Sequence, residues 1–183
     1  IIRGLVGSEM CIRDSPNIVS KIGDICIKAY KENSIGTILK HIPGHGLAKV
    51  DSHFSTPYIN KSLQYLLKND FKAFKNKNSF FAMTGHLIFN QIDKDNTVTH
   101  SRKMINIIRK KIGFKNLLIS DDLSMKSLRR GLKINTIDTF KAGCNLALHC
   151  NGKLKEMEIV GKNSPLISKF IIKKTSQFYN ILR

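Results

Sequence analysis

Four short apolar runs limit what this chain can fold into: Ile35-Gly36-Thr37-Ile38-Leu39, Phe80-Phe81-Ala82-Met83-Thr84, Leu117-Leu118-Ile119 and Leu146-Ala147-Leu148. Each has strand length, and helical patterns separate one from the next at intervals of roughly 30 to 45 residues. Apolar strands of this kind are buried on both faces, and strands joined through helices pair in parallel with right-handed crossovers. Every run also closes on polar, chemically capable residues: Lys40-His41, Gly85-His86, Ser120-Asp121-Asp122 and His149-Cys150-Asn151. Chemistry carried at the carboxyl ends of parallel strands is the arrangement of an α/β fold of the (β/α)8 TIM barrel type. An open doubly wound sheet would also bind ligands at that edge, but the chain has no GxGxxG or phosphate-loop motif to anchor a nucleotide.

The segments between the strands read as helices. Pro16 suits a first helical turn, and Ile18, Val19, Ile22, Ile25, Cys26 and Ala29 follow at helical spacing to near Glu32-Asn33. Ser62 to Phe74 reads as one amphipathic helix with Leu63, Leu66, Leu67, Phe71 and Phe74 inward. Ser101 is placed to cap a helix through Ile112, which Gly113 ends, and a short helix over Thr136–Ala142 closes at Gly143. The tail from Leu154 to Arg183 reads as helix broken at Asn163-Ser164-Pro165, with Phe170, Ile171, Ile172, Phe178 and Ile181 as packing residues. Residues 1–15 fit none of this. They lack an amphipathic period and the long apolar core of a signal peptide, and Gly4–Ser15 has the character of translated sequencing-adapter read-through. That segment is set aside as non-native, 16–183 is taken as one half-barrel, and the natural protein is expected to begin upstream.

The formal net charge of +18 raises the alternative of a basic nucleic-acid-binding module, which would show salt-dependent retention on DNA. Only 7 of the 31 basic residues are arginine, and the lysines spread from Lys21 to Lys174 among many Asn and Ile. Recognition of bases and phosphates favours clustered Arg interleaved with aromatics, so this balance fits solvated lysine-rich faces better. No uncharged run approaches the roughly 18 residues of a spanning helix, and a soluble protein is the expectation. Cys11, Cys26, Cys144 and Cys150 include no CxxC pair, which suits a reducing compartment.

The densest chemistry lies in Lys40-His41-Ile42-Pro43-Gly44-His45-Gly46 and Asp51-Ser52-His53. One reading makes His41, His45, Asp51 and His53 the ligands of a metal-dependent hydrolase. That requires convergence across a glycine-rich loop with no helix to align the ligands. The other reading divides the labour. Asp51 orients His53 and raises its basicity, giving a general acid/base tuned near neutral pH, and Asp121 or Asp122 serves as a nucleophile toward an electrophilic carbon. At least one of that Asp pair is expected to cap the next helix.

These residues carry a resemblance. KHIPGHG and VDSH over Lys40–His53, with Met83-Thr84-Gly85-His86, Ile112-Gly113-Phe114 and Ile119–Lys126, are similar to the bacterial β-N-acetylglucosaminidases of glycoside hydrolase family 3, and the likeness runs from about Pro16 to Gly152. The resemblance implies a TIM barrel, of which this chain holds roughly the last four strands, and retaining hydrolysis through a covalent glycosyl-enzyme intermediate. It places Asp121 on the nucleophile, His53 on the acid/base, Asp51 on its partner, and Lys40 and His41 on the pair that holds N-acetylglucosamine. His86 falls where it lines the site or stands behind it. A histidine acid/base departs from the usual two-carboxylate scheme. The implied role is cytoplasmic recycling of cell-wall fragments, removing terminal N-acetylglucosamine from anhydro-muropeptides. The implied partner is a small carbohydrate, with no metal or other cofactor, no nucleic acid and no membrane; the oligomeric state is not legible.

Two departures stand out. The family's first four strands, with an Asp and two Arg among its substrate contacts, are not in this chain, and Arg13 is not assigned such a role. Gly85 also replaces the common Ala between Thr84 and His86, small for small. With those contacts missing, the purified 183-residue chain is expected to show no measurable turnover of an aryl N-acetylglucosaminide, and clear turnover would contradict this.

Overall fold

The computed structural model describes residues 15–182; the segment 1–14, including Arg13, and Arg183 lie outside the described residues. Among the described residues, six strands and six α-helices follow one another: α1 (Pro16–Glu32), β1 (Ile38–Ile42), β2 (Tyr58–Ile59), α2 (Leu63–Lys68), β3 (Phe81–Thr84), β4 (Ile88–Phe89), α3 (Arg102–Ile107), β5 (Leu117–Asp122), α4 (Leu132–Ala142), β6 (Leu146–Leu148), α5 (Leu154–Asn163) and α6 (Lys169–Tyr179). The main sheet is all-parallel in the order β1-β3-β5-β6. Each strand thus lies beside its successor across a helical crossover, which is a stretch of a (β/α)8 barrel wall.

Burial separates the middle of the sheet from its edges. Ala82, Leu117 and Leu118 are fully enclosed, whereas Ile38 on β1 is exposed and β6 is half-buried throughout. None of the four apolar runs is thus buried along its whole length: the inner strands mix buried and half-buried positions, and the edge strands are more open because each has one neighbour. The core lies over the middle of the sheet: Leu118 and Ile42 with Leu66, Phe71, Phe89, Met104 and Ile108. Phe71 and Phe89 meet edge to face with centroids 5.2 Å apart. Helix α1 contributes no buried residue and leaves Ile18, Ile22 and Ile25 largely exposed. A buried lysine holds it down: Lys77 Nζ donates to the Ser20 carbonyl at 2.9 Å and meets Asp24 at 2.6 Å.

Local punctuation is as the sequence leads one to expect. The Ser101 hydroxyl accepts the Met104 N–H, and the following helix runs through a π turn to Gly113, whose φ of 84° lies in the left-handed region. Gly143 ends α4 in the same way at φ 116°.

Several boundaries move. Strand β1 starts at Ile38 and runs on to Ile42, so Lys40 and His41 belong to the strand rather than to the loop after it. Its register against β3 shifts between Lys40 and Ile42, a bulge at His41 of the kind that re-aims a side chain. The expected helix over Ser62–Phe74 breaks into α2 and a 3-10 turn, Asp70–Phe74. At the break, the Asn69 side chain donates to the Tyr65 carbonyl at 2.9 Å, competing with the helical ladder. Helix α4 begins at Leu132, ahead of Thr136. In the tail, Phe178 packs on Phe80 and Phe81, but Phe170 and Ile172 are 40% and 49% exposed and do not pack as expected. The two-residue strands β2 and β4 pair with each other in parallel as a separate small sheet. No described helix is long and apolar enough to cross a membrane.

Candidate active site

Strand β5 brings two adjacent carboxylates to the rim, and their surroundings differ. Asp122 is consumed by structure. Its Oδ1 accepts the Ser124 N–H at 3.0 Å and the Cys150 N–H at 3.2 Å, and its Oδ2 accepts the Ser124 hydroxyl at 2.6 Å. This is an Asx turn that bends the chain out of the strand while tying it to the segment after β6. Burial pushes the Asp122 carboxyl up, but the Ser124 hydroxyl and N–H, the Cys150 N–H and His149 outweigh it and hold the group below its ordinary value.

Asp121 is left more open. Its Oδ1 accepts the Asp122 N–H at 2.8 Å, while its Oδ2 lies 3.4 Å from His41 Nε2 without a hydrogen bond among the described residues. Burial lowers the His41 pKa; Asp121 opposes this, and the positive charges of His45, Lys40 and His53 add to it. His41 thus faces Asp121 from a half-buried position, and the Asp121 Oδ2 beside it accepts no hydrogen bond among the described residues.

Asp51 and His53 pair as expected. Asp51 Oδ1 accepts the His53 backbone N–H at 2.9 Å and lies 2.7 Å from His53 Nδ1. Those two contacts, the backbone one foremost, lower the Asp51 pKa. Because an ionised carboxylate only accepts, Nδ1 carries the proton and Nε2 faces outward. The pair is exposed, at 56% for the Asp51 side chain and 71% for that of His53.

Lys40, His41 and His45 line an open cavity of about 530 Å³, with Asp70 on its wall. Burial raises the Asp70 pKa against the Gly46 N–H and His45, and Asp70 Oδ2 has no hydrogen-bond partner. The His41 and His45 rings stand 5.4 Å apart, and His45 Nε2 lies 3.2 Å from the Ser52 hydroxyl. Gly85 makes room for them: a Cβ there would press on Leu87 Cδ2 at 2.7 Å and on His41 Cβ at 3.3 Å. The four proposed metal ligands do not converge. His41 turns to Asp121, His45 to Ser52, and Asp51 to His53, and no group of three His, Cys, Asp or Glu among the described residues is arranged to hold a metal ion.

His86 stands behind the rim, fully buried. Its Nε2 lies 3.0 Å from the Asp122 carbonyl, which can only accept, so Nε2 carries the proton. Nδ1 then accepts from Thr99 Oγ1 at 2.8 Å, and Thr99 from Thr84 at 2.9 Å. This chain of hydrogen bonds fixes the backbone that carries Asp121. Two further side chains stand at the rim: His149, named above only as a polar strand end with no role, and Glu156, which was missed from sequence. His149, its side chain 5% exposed, lies 3.7 Å from Asp122 Oδ1 and 3.3 Å from Glu156 Oε2, bridging β5 to α5. Its position past the fourth strand was a signal for it; nothing local pointed to Glu156.

Comparison with known proteins identifies the family. The family described as Glycosyl hydrolase family 3 N terminal domain matches residues 8–174. A β-hexosaminidase of Idiomarina loihiensis is 27% identical over 154 residues, covering 82% of this chain and 47% of that protein. One of Neisseria meningitidis serogroup C is 30% identical over 142 residues, covering 75% and 39%. The crystal structure of native NagZ from Neisseria gonorrhoeae superposes with a TM-score of 0.78 at 27% identity, over 90% of this chain and 48% of that one. The chain thus spans about half the length, or less, of the relatives it matches.

Burial also sets a pH dependence. It lowers the pKa of His41, His86 and, to about 4, His100, which lies on a 3-10 turn (Val98–His100). Unfolded histidine titrates near pH 6.5. Between those values the unfolded chain binds more protons, so the stability is fully present above about pH 6.5 and is lost as pH falls toward 4. His100 alone should account for up to about 3 kcal/mol of that loss. Urea unfolding at a series of pH values should show a shallower slope for His100→Gln than for the natural chain; equal slopes would contradict this.

Proposed function

The chain belongs to glycoside hydrolase family 3, and from that membership we propose that it is the catalytic-rim half of a retaining exo-β-N-acetylglucosaminidase. In this reading the Asp121 carboxylate attacks the anomeric carbon as the bond to the leaving oxygen breaks, giving a glycosyl ester. His53, protonated on both nitrogens, gives its Nε2 proton to the leaving oxygen. The neutral ring then takes a proton from water, which attacks the same carbon and releases Asp121. Asp51 keeps the Nδ1 proton in place through both steps. Lys40 and His41, in the shared cavity, hold the N-acetylglucosamine unit.

The observation that carries the reading is the contrast between the carboxylates: the Asp122 side chain accepts three hydrogen bonds, whereas that of Asp121 accepts one and leaves Oδ2 without one, 3.4 Å from His41 Nε2. The β-hexosaminidase names of the relatives support the substrate class. The finer role follows from the same reading: removal of terminal N-acetylglucosamine from peptidoglycan fragments during cytoplasmic cell-wall recycling. Activity belongs to the whole barrel, since the matched relatives are about twice this length.

In a protein that completes the barrel around this half, Asp121→Asn should abolish turnover of an aryl N-acetylglucosaminide, and His53→Ala should slow substrates with poor leaving groups far more than activated ones. Retained activity in Asp121→Asn, or an equal loss on all substrates in His53→Ala, would contradict the assigned roles. Activity that disappears with a chelator would favour the metal-dependent alternative instead.

A further inference from the structure

Away from Asp121 and His41, loops after β1, β3 and β5 enclose a second cavity of about 180 Å³. Four buried polar atoms without a hydrogen-bond partner belong to side chains of its lining: Thr97 Oγ1, His100 Nε2, Ser127 Oγ and Asn135 Oδ1. Thr97, Ser127 and Asn135 are only 6%, 3% and 2% exposed. Leaving such groups unmade costs about 1–3 kcal/mol each, so four around one cavity mark it as a place for a polar occupant.

The lining also says what kind of occupant. Hydroxyls both donate and accept, the Asn135 oxygen accepts, and His100 is held neutral by burial, with its pKa at about 4. Arg130 is already engaged, by Asp138 at 3.1 Å and the Asn96 side chain at 3.2 Å. With Arg130 paired to Asp138, the lining's other charged side chains are the exposed Arg129 and Asp95, one of each sign, so no net positive charge is left over to select an anion. At the mouth Tyr58 is 59% exposed and offers a ring face of the sort that packs on the apolar face of a pyranose. The Thr56 hydroxyl donates to the Ser127 carbonyl at 2.8 Å and holds two of the loops together, so the cavity is a fixed feature.

We infer that this cavity is a second ligand site, distinct from the Asp121 rim, that takes a neutral hydroxylated molecule of monosaccharide size through Thr97, His100, Ser127 and Asn135. The inference does not rest on the glycosidase reading, since it is tested by binding without turnover.

The test is an amide NMR titration of the 183-residue chain with D-glucose, with inorganic phosphate in parallel. Saturable glucose shifts are expected at Thr97, Ser127 and Asn135, and none at His41 or Asp121. Ser127→Ala should weaken binding about fivefold, the worth of one hydrogen bond. Tyr58→Ala, at an exposed position, should weaken it without risk to the fold. Absence of saturable shifts would mean that ordered water fills the cavity and would overturn the inference. So would a response to phosphate in place of glucose, or glucose binding unchanged in both variants.

Discussion

The hydrogen bonds around Asp122 are the node on which the rim depends. One side chain turns the chain after β5 through Ser124 and reaches the segment after β6 through Cys150, while its carbonyl accepts from the buried His86. Three βα loops are thereby fixed to one another, and the residue one place earlier is left with an oxygen to spare. A carboxylate that holds structure and a carboxylate that does chemistry make opposite demands on hydrogen bonding. In the proposed reading, adjacent positions on one strand meet both, because successive residues point to opposite faces.

Much of this was legible in the sequence where the signal is local. Ser101, Gly113 and Gly143 act through their own backbone geometry, and the Asp51–His53 pair is made by residues two apart. The four strands declared themselves as apolar runs closing on polar residues. What was not legible depends on contacts distant in sequence. Lys40 and His41 were read as loop, because only pairing with β3 shows that β1 continues through Ile42 with a bulge. Strands β2 and β4 are two residues each, too short for any period to register. Glu156 reaches His149 from the next helix, and the choice between Asp121 and Asp122 needed their partners.

The open side of the sheet and the exposed dyad have a common physical origin. Helix α1 shows its isoleucines to solvent and β1 its edge, while the Asp51–His53 pair stands on a loop with little packed over it. An acid/base histidine works best where water is partly excluded and its partner carboxylate is screened less. In the proposed reading, Lys40, His41 and His53 supply functional groups of a site whose enclosure comes from the rest of the barrel.

The central claim is that Asp121, rather than Asp122, forms the covalent bond to the sugar. It is tested most directly by treating the completed barrel with a ring-fluorinated N-acetylglucosaminyl fluoride, whose good leaving group forms the ester faster than the deactivated sugar hydrolyses. Mass spectrometry of the digested protein should then place one sugar on Asp121. A sugar on Asp122, or continued turnover with no labelled residue, would contradict the account.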